Sequence, residues 1–158
     1  MASRRTKQTA NPKLFNLKGV SIGIVVAQWH NDITSALLKG ATATLKQAGI
    51  KDASIKTKKV PGSFELPLGA QWQIEKDKVD AVLCLGCIIK GETPHFDYIS
   101  EAVANGIMQL NLGYSIPVIF GVLTTNTLKQ AKERSGGKHG NKGTDAAIAA
   151  LEMLQNRK

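Results

Sequence analysis

DAVLCLGCIIKGETPHFDY, residues 80–98, decides how the chain is built. Its first ten residues are the most apolar run in the sequence, which fits a strand buried on both faces and therefore central in a sheet. The run stops at Ile89. Lys90, Gly91, Glu92, Thr93, Pro94 and His95 then arrive together, and a helical apolar spacing takes over across 95–112.

The same alternation extends in both directions. VSIGIVVAQ (20–28) is a continuous β-branched run. NDITSALLKGATATLKQAG follows it, opening at a capping-type Asn31, with Ile33, Leu37, Ala41 and Ala48 at roughly helical spacing and Gly49 at its end. ASIKTKKV (53–60) alternates like an edge strand, and PGSFELPLGAQWQIEKD turns into a short helix that Pro67 can start. Beyond the central stretch come a strand, PVIFGVLTT (117–125), a helix, TLKQAKERS, a glycine-rich link, GGKHGNKG, and a last helix, TDAAIAALEMLQ. No internal repeat or low-complexity segment interrupts the series. Strands alternating with helices predict an open three-layer α/β sandwich with a mostly parallel sheet. The commonest small version places the second strand outside the first and the third on the first strand's other side. Ligands then bind beyond the carboxyl ends of the strands. Trp29 and His30, PGSFE, KGETPH and Phe120 to Thr125 are all expected on that edge.

Composition narrows the classes. A chain of 158 residues with 42% hydrophobic content fits one compact domain, large enough to bury about two thirds of its unfolded surface. No apolar run has bilayer-spanning length, and the basic start MASRRTKQTANPK is not followed by the apolar core of a signal peptide, so a cytoplasmic protein without a membrane role is expected. Cys84 and Cys87 are the only cysteines; in a strand they point to opposite faces, which favours two buried thiols over a disulfide or a zinc site. Five of the nine surplus positive charges (Arg4, Arg5, Lys7, Lys13, Lys18) lie in residues 1–18. Residues 1–16 therefore read as a basic, flexible arm and 17–158 as the single domain. The arm reads as a solvated tail, and nucleic acid is not an expected partner, because aromatic residues are not interleaved with its charges. A second basic cluster, Lys129, Lys132, Arg134, Lys138 and Lys142, is balanced only by Glu133.

The abrupt change after Ile89 suits an anion. Gly91 lets the backbone approach a ligand, and the amides of Glu92 and Thr93 precede a helix whose macrodipole favours negative charge. Lys90 and Thr93 add a cation and a hydroxyl, and His95 in the first turn is placed to exchange protons with whatever carries the phosphate. Glycines 136, 137, 140 and 143 lack the spacing and the Lys-Ser/Thr ending of a P-loop, and read as a flexible link placing Lys138 and Lys142. Taken alone, Phe64, Phe120 and Trp72 read as core residues, and Glu65 as a partner in a helix cap.

Four stretches taken together carry a resemblance: VPGSFELP (60–67), LGCIIKGETPHFDY (85–98), PVIFGVLTT (117–125) and ERSGGKHGNKG (133–143). In order and spacing the chain resembles the 6,7-dimethyl-8-ribityllumazine synthases over about residues 17–155. The resemblance implies a flavodoxin-like sandwich, no metal and no cofactor. It implies condensation of 5-amino-6-(ribitylamino)uracil with 3,4-dihydroxy-2-butanone 4-phosphate, the penultimate step of riboflavin biosynthesis. Carried across, it puts the aromatic platform for the pyrimidine at Trp29, ribityl and ring contacts at Ser63, Phe64 and Glu65, and backbone contacts to the ring at Cys87, Ile88 and Ile89. Glu92 and Thr93 hold the phosphate through their amides, Arg134 pairs with it, His95 carries the proton, and Phe120 and Lys142 close the pyrimidine side. Trp29 stands where phenylalanine is usual, Lys90 where arginine is usual and Glu92 where a small residue is frequent. Lysine for arginine loses a bidentate fork. The resemblance also implies a homo-oligomer, either a ring of five or a shell of about sixty subunits, with Phe120, Arg134 and Lys142 arriving from the ring neighbour. A functional link to riboflavin synthase is implied as well.

Overall fold

The computed structural model describes residues 11–157. Four of the apolar or alternating runs form one parallel sheet: β1 (Ile22–Ala27), β2 (Ile55–Val60), β3 (Ala81–Ile89) and β4 (Val118–Thr125), in the order β2-β1-β3-β4. This is the expected arrangement, with β2 outside β1 and β3 on β1's other side. β1 is buried along its whole length and β3 along its first seven residues. β2, at the edge, exposes Lys56 and Lys59, charges that blunt an open strand edge.

Among the described residues five α-helices cover the sheet: α1 (Asn31–Gln47), α2 (Leu66–Glu75), α3 (His95–Tyr114), α4 (Leu128–Arg134) and α5 (Lys142–Asn156). The period-2 alternation of the strands divides the core. Ile22, Ile24 and Val26 of β1, with Leu83, Leu85 and Cys87 of β3, pack against α1, α5 and Ala131 of α4. Val25 and Ala27, with Val82 and Cys84, pack against Leu66, Ala70 and Ile74 of α2 and Val103, Ile107 and Leu110 of α3. The three-layer α/β sandwich with a flavodoxin-like sheet is thus in place. Each fully buried leucine or isoleucine contributes about 1.5–3 kcal/mol. Cys84 and Cys87 fall on opposite faces as free thiols. Burial pushes the Cys84 thiol up to about 12 and that of Cys87 up to about 11.

Helix ends follow local rules with one exception. Pro67 sits in the first turn of α2. α1 ends in a Schellman motif: Gly49, at φ +85°, donates to the Lys46 carbonyl, and Ile50 N donates to Leu45 O at 3.1 Å. The exception is Asn31, which is the first helical residue and not the cap. His30 takes the cap position in the left-handed region (φ 57°, ψ 48°), and its carbonyl accepts from Ile33 and Thr34.

Three expectations are corrected. The glycine-rich link folds as a small antiparallel hairpin, β5 (Ser135–Gly137) with β6 (Gly140–Asn141), and Lys142 belongs to α5. Trp72 is not core: Ala70, Gln73 and Ile74 take the buried stripe of α2, and Trp72 turns to the surface with the Lys58 and Lys76 ammonium groups 5.9 and 5.5 Å from its ring centroid. Phe64 and Phe120 are also exposed. Of the expected arm, Arg4, Arg5 and Lys7 lie outside the described residues. Pro12–Leu14 form a 3-10 turn capped by Asn11, Phe15 packs on the α1/α5 core and Leu17 is buried.

Candidate functional site

The carboxyl edge of the sheet is assembled from its strand ends. Gln28 N donates to Val60 O at 2.9 Å, and Trp29 N to Pro61 O at 3.1 Å, so the end of β1 is fastened to the end of β2. Trp29 emerges 65% exposed. Its indole lies over Gly62: a Cβ on that glycine would stand 2.8 Å from Trp29 Cε3 and 3.2 Å from Glu65 Oε2. The Glu65 carboxylate turns back to accept from Gly62 N at 2.8 Å, the cap role that its place before Leu66 and Pro67 suggests. Phe64 projects into solvent, whereas Ser63 is 6% exposed, packed against Gly86, with its hydroxyl unpartnered.

β3 outruns β1. Its ladder with β1 ends at the Val26–Leu85 pair, while the ladder with β4 continues to Ile89–Thr125. Along Cys87, Ile88 and Ile89 one backbone edge is therefore held by β4, and the edge on the β1 side has passed the end of its partner. Lys90 N donates to Thr125 O at 2.9 Å, closing the sheet. From Lys90 to His95 every residue is exposed, and a Cβ on Gly91 would meet nothing within 4 Å. α3 starts at His95 without a side-chain cap, and among the described residues no backbone acceptor takes the N–H of Glu92 or Thr93. Unfilled donors ahead of a twenty-residue helix are the groups with which a helix start can meet an anion. His95, the first residue of that helix, stands beside them.

Trp29, Ser63, Phe64, Glu65, Cys87, Ile88, Ile89, Glu92, Thr93 and His95 thus share one edge. Phe120 does not, which corrects the reading that placed it there. It pairs with Cys84, five residues before Thr125, about 16 Å short of the strand end at 3.3 Å per residue. Leu123, Thr124 and Thr125, paired with Cys87, Ile88 and Ile89, are the residues of β4 that reach the edge. Phe120 lies on β4, one of the two outer strands, and, with Lys142 and Asp145, lines a shallow cleft of about 350 Å³. Lys142 Nζ is 2.7 Å from Asp145 Oδ2. Arg134 ends α4, with Nη1 donating to Gln130 O at 3.1 Å. The chain therefore presents an exposed aromatic surface with unfilled amides at the strand ends and a separate surface along β4 that carries Phe120 and Lys142.

Sequence reasoning passed over Gly62 and Asn141. The signal for Gly62 was its place between Trp29's strand end and a cap; for Asn141 it was an Asn immediately before a helix, the pattern credited to Asn31. Among the described residues no group of three or more His, Cys, Asp or Glu is placed to hold a metal ion, and no helix is long and apolar enough to cross a membrane.

Comparison with known proteins bears on this geometry. The family model described as 6,7-dimethyl-8-ribityllumazine synthase matches residues 19–158. A protein of that name from Cytophaga hutchinsonii is 57% identical over 139 residues, 88% of this chain and 87% of its own length. Similar proteins of the same name from Parabacteroides distasonis and Porphyromonas gingivalis are 52% and 53% identical, over 85% and 86% of this chain and 84% of their own length in each case.

Proposed function

The chain belongs to the 6,7-dimethyl-8-ribityllumazine synthase family, and from that premise we infer that its two separate surfaces meet across a contact between copies to form each active site. The enzyme is a transferase of riboflavin biosynthesis. It condenses 5-amino-6-(D-ribitylamino)uracil with 3,4-dihydroxy-2-butanone 4-phosphate to 6,7-dimethyl-8-ribityllumazine, releasing phosphate and water.

The residue roles follow the chemistry. Trp29 stacks on the pyrimidine, and Ser63, Phe64 and Glu65 border its ring and ribityl chain. The backbone of Cys87, Ile88 and Ile89, past the end of β1, offers hydrogen bonds to the ring edge. The Glu92 and Thr93 amides hold the butanone phosphate and later receive it as the leaving group. The uracil's 5-amine attacks the ketone and water leaves as an imine forms. Phosphate is then eliminated, the enol tautomerises, and ring closure expels a second water. His95, exposed beside those amides, carries the protons. An amine and a ketone condense unaided, so holding the two substrates together supplies most of the acceleration. Arg134 pairs with the phosphate, and Phe120 and Lys142 close the pyrimidine side.

One observation carries the shared-site reading: Phe120 sits on the outer strand β4, well short of the edge that holds Trp29 and His95. A head-to-tail ring brings one copy's β4 surface to its neighbour's strand ends. The short seven-residue segment 135–141 ahead of α5 fits closure of such rings of five into a shell of about sixty subunits. Light scattering showing only five chains would remove the shell and leave the ring. A cytoplasmic location, and a riboflavin synthase as the next consumer of the product, complete the reading.

Co-expression tests the sharing. A Glu65→Ala/His95→Ala chain and an Arg134→Ala chain, each nearly inactive alone, are co-assembled in equal amounts and assayed by lumazine fluorescence. Random mixing pairs two intact surfaces at about one contact in four, so activity rises well above both parents. Verified co-assembly without recovery overturns the shared site.

A further inference from the structure

Asn141 uses every hydrogen-bonding position of its side chain. Its Nδ2 donates to Ala36 O on α1 at 2.9 Å and, more weakly, to Ser135 O at 3.4 Å. Its Oδ1 accepts from Gly143 N at 2.8 Å and Thr144 N at 3.4 Å, capping α5. A side-chain amide has two N–H donors and two acceptor lone pairs, so no capacity is left over, and turning the amide over would face donors to donors.

The surroundings are cut to fit this one side chain. A Cβ on Gly40 would stand 2.6 Å from Asn141 Cγ, and a Cβ on Gly143 would stand 1.9 Å from Leu37 O. α1 and the start of α5 therefore approach with only glycines between them and the Asn141 amide. The chain positions it fixes are informative. Ser135, whose carbonyl it holds, directly follows Arg134, and Lys142 directly follows Asn141 itself. One amide thus ties the main chain beside both Arg134 and Lys142 to the rigid body of α1.

We propose that Asn141 is a positioning residue for the condensation, one that fixes Arg134 and Lys142 relative to each other before substrate arrives. Both cations sit at helix ends joined by a seven-residue hairpin segment. Pre-ordering that segment removes a cost that substrate binding must otherwise meet. The proposal rests on the reading that Arg134 pairs with the butanone phosphate. It differs from a purely structural role, in which Asn141 matters only as the cap of α5.

Asn141→Ser separates the two roles without altering charge. Serine retains a capping oxygen but lacks both N–H donors. Steady-state kinetics would be run at a temperature where circular dichroism shows every variant folded. The KM for the butanone phosphate is expected to rise roughly tenfold in Asn141→Ser, with kcat changed much less, and to be no better than in Asn141→Ala. Gly40→Ala, which pushes on the amide from α1, is expected to raise the same KM. In an Arg134→Ala background the Asn141→Ser effect should largely disappear, because the residue acts through Arg134. A wild-type KM in Asn141→Ser or in Gly40→Ala overturns the proposal, as does an undiminished effect in the Arg134→Ala background. A wild-type KM in Arg134→Ala alone locates the failure in the phosphate reading instead.

Discussion

The loops after β2 and β3 meet at the same edge of the sheet and are built in opposite ways. Pro61–Glu65 is tied down at each step: to β1 through Gln28 and Trp29, and internally through the Glu65 carboxylate on Gly62 N, with Ser63 sunk against Gly86. Lys90–Pro94 is held at its base by the Lys90–Thr125 hydrogen bond and is exposed thereafter, the amides of Glu92 and Thr93 taking no backbone acceptor among the described residues. The difference fits the roles proposed for the two loops. A flat pyrimidine is recognised by a fixed surface, since any motion of the platform weakens stacking. Phosphate enters on one substrate and departs as a product, so its seat has to fill and empty in every cycle.

If the β3 loop serves chemistry and the β2 loop serves recognition, His95→Ala gives the largest change, in turnover. A positioned acid–base group contributes about 10²-fold or more, and kcat is expected to fall by that order while residual activity persists. The KM for the uracil substrate stays near wild type. Stopped-flow or steady-state fluorescence of the lumazine product measures both. A comparable rise in that KM would mean that His95 belongs to the recognition surface, and the contrast between the loops would fail.

Placing one methyl group in each loop sharpens the contrast. Gly62 has extended backbone (φ −135°, ψ −178°), so Gly62→Ala is permitted by the main chain and acts only by pushing Trp29 and Glu65. Overpacking of this kind costs about 1–3 kcal/mol. The KM for the uracil substrate should rise about tenfold to a hundredfold, and the free protein's thermal midpoint should fall. Gly91→Ala meets no atom of the chain, so the thermal midpoint stays put and only the KM for the butanone phosphate increases. Loss of stability in Gly91→Ala, or an unchanged uracil KM in Gly62→Ala, would erase the distinction.

The two loops also differ in how much of them can be read from sequence. The sheet order and helix sequence are legible because buried parallel strands must be apolar along their length, and the helices return with a different period. The start of α3 at His95 is legible for the same reason. The packing of Trp29 on Gly62 is not, because a close approach between two strand ends leaves no periodic trace; a lone glycine before Ser-Phe-Glu is the whole signal. Phe120 misleads for a related reason. Apolar runs locate a strand but not the level at which each residue stands relative to its neighbours, and only register puts Phe120 beside Cys84. The hairpin at 135–141 reads as a flexible link in the sequence because its order comes from Asn141 reaching back to Ala36, a contact across 105 residues.

The smallest expected effect is optical, and it uses the two tryptophans as reporters of a working and an idle surface. Trp29 is 65% exposed over Gly62 at the strand ends, whereas Trp72 is 39% exposed between Lys58 and Lys76 on the far side of α2. A bound lumazine analogue stacked on Trp29 should quench most of that residue's emission and leave Trp72 unchanged. Trp72→Phe therefore retains the analogue-dependent quenching, with a larger fractional change because the silent background is gone. Trp29→Phe loses the quenching but keeps binding within a few-fold, since phenylalanine still presents a ring, and calorimetry with the same analogue can verify that affinity. Equal quenching in Trp29→Phe would put the reporter elsewhere, and the fixed platform with it. Persistence of the signal in Trp72→Phe alone isolates the β2-side surface as the one that meets the ring.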